Sequence, residues 1–121
     1  MNKKIELNAA TRLSYVIEAM ATLQGKRTGL GNILVWISKR NPRHGNRVKV
    51  SNIRDTYSPD DNFSIDLDGV IQEGHSKVST DELERIRNWI KLNKPVIERF
   101  WSDDQYLDDE MKKDLKKLAK K

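Results

Sequence analysis

The amino-acid sequence predicts an α+β fold. The expected architecture is a three- to four-stranded, mainly antiparallel sheet packed against an N-terminal helix and a long C-terminal helix, followed by a lysine-rich terminal helix. Three observations predict it. Short apolar or alternating runs at 32–39, 47–50, 63–68 and 70–73 are divided by clusters of turn formers. Apolar residues recur at helical spacing over 9–24 and 80–101. Asp68-Gly69 stands between two strand-like runs, as a tight hairpin turn requires.

Taken in order, Leu13, Val16, Ile17, Met20 and Leu23 form one helical stripe, with Asn8 as N-cap and Gly25 just past the end. Gly25 to Gly31 reads as a flexible, basic, glycine-rich link. It lacks the Gly-Lys-Ser/Thr of a phosphate-cradling P-loop and does not follow a strand. Ile33 to Ile37 is apolar on both faces, as a covered central strand would be. Asn41-Pro42-Arg43-His44-Gly45-Asn46 is a turn. In the strand after it, Val48 and Val50 point inward and Arg47 and Lys49 outward. Phe63 to Asp68 alternates strictly, and Val70 to Glu73 returns as a fourth strand. Ser79-Thr80-Asp81-Glu82 is a capping box. Leu83, Ile86, Trp89, Ile90, Ile97, Phe100 and Trp101 supply a buried stripe, and Pro95 predicts a kink or break near Asn93. Trp36, Trp89 and Trp101 are expected in the core or along its edge. Leu107, Met111, Leu115 and Leu118 place a last helix over 107–119, acidic at its start and lysine-rich at its end.

The 121 residues fit a single domain. Within it, 1–31 holds the first helix and the basic loop, 32–102 the α+β core, and 103–121 the amphipathic lysine-rich helix. There is no cysteine, which excludes disulfides, thiol nucleophiles and cysteine-bound metal. No apolar run reaches the roughly 20 residues of a membrane helix, so no membrane partner is expected, and the expected compartment is the cytoplasm. His44 and His75 are too few for a histidine metal cage, so neither metal nor cofactor is expected.

Charge is arranged in blocks. The net charge of +5 divides into +8 over residues 1–50, −9 over 55–110 and +5 over 111–121, with Arg54 between the first two. From Lys26 to Lys49 there are seven cations and no acid: Lys26, Arg27, Lys39, Arg40, Arg43, Arg47 and Lys49. Such a stretch repels itself unless an anion answers it. The answer is either a phosphate-bearing partner or the chain's own acidic middle, Asp60, Asp61, Asp103 and Asp104 above all. The lysine-rich end offers a solvated face, a second phosphate contact or a partner-docking helix.

His44 is the one candidate for catalysis. Metal-independent RNA cleavage needs a base for the 2′-hydroxyl proton and cations for the developing phosphorane charge. Histidine is the residue type suited to that exchange near neutral pH, Arg43, Arg47 and Lys49 supply charge beside His44, and Tyr57 is in the next loop. Asp66, Asp68 and Glu73 read as the solvent side of alternating strands and not as a magnesium site.

One resemblance covers residues 32–102. A strand leads to Asn41-Pro42-Arg43-His44. Then come Ile65-Asp66-Leu67, Gly69-Val70-Ile71-Gln72-Glu73-Gly74, and a helix with Asn88-Trp89-Ile90 and Glu98-Arg99-Phe100-Trp101. This order resembles a family of short bacterial proteins filed as a domain of unknown function, number four-one-six-zero. That family's turn reads Asn-Pro-Pro-His-Phe-His; Arg43 and Asn46 replace its second Pro and second His here. The resemblance implies a small bacterial or phage protein that works with a protein partner in a toxin–antitoxin-like pair. It implies no reaction.

The leading expectation is a nucleic-acid-binding module whose contacts are Lys26, Arg27, Lys39, Arg40, Arg43, His44, Arg47 and Lys49. The alternatives are an RNase toxin using His44 and a protein-interaction inhibitor or antitoxin.

Overall fold

Alternating side chains build a meander of five antiparallel strands in this computed structural model, which describes residues 20–52, 61–75 and 77–119. The strands are β1 (Met20–Leu23), β2 (Ile33–Ser38), β3 (Arg47–Asn52), β4 (Asn62–Asp66) and β5 (Ile71–His75), and each pairs with the next. One face carries Leu23, Ile33, Val35, Ile37, Val48, Val50, Phe63 and Ile65, all essentially buried. A single turn of helix, α1 (Gly25–Thr28), links β1 to β2. The long α2 (Thr80–Ser102) closes the core with Ile86, Trp89, Ile90, Ile97 and Phe100. A short α3 (Asp108–Asp114) adds Met111, and Tyr106 fills the linker between the two helices.

Several expectations hold. The Ser79 hydroxyl accepts from the Glu82 amide at 3.0 Å and the Glu82 carboxylate accepts from the Ser79 amide at 2.8 Å, so the capping box starts α2. Val48 and Val50 are buried, while Arg47 and Lys49 are half-buried on the other face. Trp89 is fully buried and Trp101 half-buried, whereas Trp36, expected in the core or along its edge, is half-buried on the opposite face of the sheet, between Thr22 and Lys49 in the ladder.

Others are corrected. Among the described residues the sheet has five strands, not three or four. The extra one is β1, taken from the end of the helix expected over 9–24; the remainder of that helix, 9–19, lies outside the described residues. Ala21 and Leu23 are buried and Thr22 is exposed, a period of two that pairing with β2 stabilises over a last helical turn. Gly25 does not end a helix but begins α1, which stops at Gly29 in the left-handed conformation. Of the kink or break expected at Pro95, the break does not occur: α2 is continuous from Thr80 to Ser102. Its buried stripe continues on both sides of the proline, so packing carries the helix across the lost hydrogen bond. The terminal helix ends at Asp114 and not near 119. Residues 115–119 are neither helix nor strand: Leu115 is extended, and Asn93, Thr28 and Arg85 take the backbone groups of Lys116, Leu118 and Ala119.

Candidate nucleic-acid interface

β2 separates the acid-free stretch into two clusters. Lys26 and Arg27 precede it, and Lys39, Arg40, Arg43 and His44 follow it. The five steps of about 3.3 Å between its first and last residues put roughly 17 Å between the ends. The seven cations therefore do not form one patch.

At the hairpin end, two of the five cations are answered, Lys39 and Arg47. Lys39 turns inward: its Nζ donates to the Asp103 carbonyl at 2.6 Å and the Tyr106 carbonyl at 2.5 Å, over the Phe100 ring at 4.1 Å. Burial lowers its pKa, and Asp104, Asp103 and Asp108 partly offset that. Arg47 pairs with Glu73 at 3.2 Å. Arg40 is exposed and shares a cleft with Asn41, Pro42, Ser102 and Asp104. Arg43 is exposed, and Lys49 is half-buried between Trp36 and Ser64 in the ladder. Of the four acids expected as internal partners, Asp103 pairs with Arg99 at 3.5 Å, Asp104 lies beside Arg40, and Asp60 is outside the described residues. The Asp61 carbonyl accepts from the Ser51 hydroxyl.

His44 stacks at a tilt on Trp101, ring centres 5.9 Å apart, and its Nδ1 lies 2.7 Å from the Gly45 carbonyl. Its cleft holds Asn46, Arg47, Asp66 and Gln72. Asp66 is bound by the amides of Asp68 and Val70 and by Gln72, and Arg47 by Glu73. The other ionisable groups of that cleft are thus committed to structure. Tyr57 is outside the described residues. Asp68 meets Lys94 at 3.5 Å, and the described residues contain no metal-binding cluster.

The other end of β2 differs. Residues 115–119 run back along α1. Leu118 N–H donates to the Thr28 carbonyl at 2.8 Å, and Arg27 Nη1 to the Lys112 carbonyl at 3.3 Å. Arg85 reaches from α2 to the carbonyls of Gly29 at 2.8 Å and Ala119 at 3.2 Å. The result is a cleft of about 570 Å³ in which Lys26 and Arg27 face Lys112 and Lys117. Thr22, Gln24 and Leu115 complete it, and none of the described residues lining it is acidic. None of the four cations forms an ion pair among the described residues.

Sequence reasoning placed Lys26 and Arg27 in the interface and left Lys112 and Lys117 as one option among three. It missed Asn93, whose side chain holds the returning segment. A signal was present: Asn93 falls between Ile90 and Ile97 on the apolar stripe, where a polar residue needs a dedicated partner.

No family model, no curated protein and no solved structure matches this chain.

Proposed function

We propose that this chain is a small cytosolic module that binds nucleic acid through its phosphate backbone. The observation that carries the reading is the cleft where Lys26, Arg27, Lys112 and Lys117 converge with no carboxylate in the lining. Bringing like charges together costs free energy, and a phosphodiester chain returns it by pairing with them. Arg40 and Arg43 extend the basic surface at the far end of β2. A strand crossing from one cluster to the other contacts both.

Backbone contacts release condensed counterions, so affinity must fall steeply with salt. The test is fluorescence anisotropy with labelled single-stranded and duplex RNA and DNA across salt concentrations. The expected result is binding at low salt whose logarithm falls linearly with log salt, by about 0.9 for each duplex phosphate contacted. Absence of binding to all four probes at low salt refutes the reading.

A further inference from the structure

The basic cleft is made from two segments far apart in the chain, and the residue joining them carries no charge. Asn93 is 1% exposed, in the middle of α2. Its Oδ1 accepts from the Lys116 amide at 2.7 Å and its Nδ2 donates to the Lys116 carbonyl at 2.9 Å. Nδ2 also meets the Trp89 carbonyl at 3.1 Å. One side-chain amide thus pairs with both backbone groups of one residue, as a neighbouring strand would. These are the groups that a continued helix would have satisfied internally. The returning segment trades its helix for this latch.

The trade has an electrostatic cost. Docking residues 115–119 brings Lys117 toward Lys26 and Arg27, with no acid in the cleft to offset them. Buried, fully satisfied hydrogen bonds oppose that repulsion.

We infer that residues 115–119 form a strap that completes the anion cleft, that Asn93 is the positioning residue latching it, and that a phosphodiester ligand and the docked strap stabilise each other. This rests on the reading of the cleft as a nucleic-acid site. Reciprocity follows from linkage: an anion bound only by the assembled cleft must favour the latched state by the same free energy that latching adds to its binding.

The exposed residue Lys116 offers the cleanest test. Lys116→Ala removes its charge and keeps the amide that Asn93 accepts from. Lys116→Pro removes the same side chain and also the amide. The residue before it, Leu115, already has φ −67 and ψ 140, which suits a following proline. The readouts are affinity for a labelled oligonucleotide and for inorganic polyphosphate, together with hydrogen exchange at the Leu118 amide. That amide bonds to Thr28 only when the strap is docked.

Lys116→Ala should bind within about twofold of wild type. Lys116→Pro should bind about tenfold more weakly, as expected for losing strap contacts to phosphate. In the proline background, adding Lys117→Gln should change nothing further, whereas in wild type it weakens binding. Oligonucleotide should slow exchange at Leu118 in wild type. Equal affinity of the alanine and proline variants, or an undiminished Lys117→Gln effect in the proline background, overturns the latch. If polyphosphate binds with this pattern and no oligonucleotide does, the nucleic-acid reading fails and the latch stands. Should neither probe bind wild type, both are refuted.

Discussion

The two ends of β2 carry similar sequence and have different fates. After β2, Lys39 and Arg40 meet the linker between α2 and α3, whose Asp103 and Tyr106 carbonyls bind Lys39 and whose Asp104 lies beside Arg40. Before β2, Lys26 and Arg27 meet Lys112 and Lys117. What separates them is the later segment that packs on each. A run of cations does not determine whether it is neutralised; the topology of the returning chain does. Backbone carbonyls and Glu73 answer Lys39 and Arg47 at one end, and the basic terminus reinforces the other.

Charge removal tests this contrast most strongly. Replacing Lys26, Arg27, Lys112 and Lys117 by Gln should weaken nucleic-acid binding about a hundredfold or more at moderate salt and make its salt dependence shallower. The matching change at the hairpin, Arg40→Gln with Arg43→Gln, should cost less than about tenfold. Anisotropy titrations on both variants decide it, and equal losses would erase the distinction between the ends.

A backbone change at the strap end comes next. Gly29 has φ 84, and a Cβ there would collide with the Leu118 carbonyl. Gly29→Ala is expected to cost about 2 kcal/mol in urea unfolding, from the left-handed conformation and the displaced strap together. It should lower affinity although none of the four cations is substituted.

Lys39→Ala probes the hairpin end. It leaves two carbonyls without their charged donor, a loss of about 2 kcal/mol in the same unfolding assay. Affinity should stay within about threefold, since Lys39 is turned to the interior. A large loss of affinity with intact stability would return Lys39 to the interface.

Much of this fold is legible in the sequence, because it depends on local periodicity. β3 and β4 follow from alternation, β2 from its short apolar run, β5 from the Asp68-Gly69 turn before it, and the start of α2 from its capping box. The errors share one cause. β1 and the strap both have apolar residues at helix-compatible spacing, and both leave the helix because distant partners take their backbone groups. β2 does so for β1, and Asn93 and Thr28 do so for the strap. Such partners are invisible to a local pattern. The site was half legible for the same reason. Lys26 and Arg27 stand out as an acid-free run, but their facing lysines are brought there by a latch some twenty residues before them in the chain.

The smallest effect concerns how the hairpin-end linker is held. Tyr106 is buried, its hydroxyl donates to Asp114, and Arg99 lies 3.8 Å over its ring. Burial first, and then the hydrogen bond to Asp114, push its pKa up to about 12 from the usual 10. Between those values the unfolded chain releases the phenol proton and the native state keeps it, so stability falls as pH rises through this window. Lys39 acts in the opposite sense. Its lowered pKa lets the native state release a proton before the unfolded chain does, so its contribution rises with pH until the unfolded lysine titrates at 10.5. Tyr106→Phe separates the two. Below pH 10 the variant should be less stable than wild type by about 1 kcal/mol, the worth of one hydrogen bond. Between pH 10 and 12 that gap should close, because only wild type loses stability through this phenol. Urea unfolding of both proteins across the window measures it. A gap that stays constant would mean the phenol is not held by burial, and the linker's grip on the hairpin end would then rest on the Lys39 cage alone.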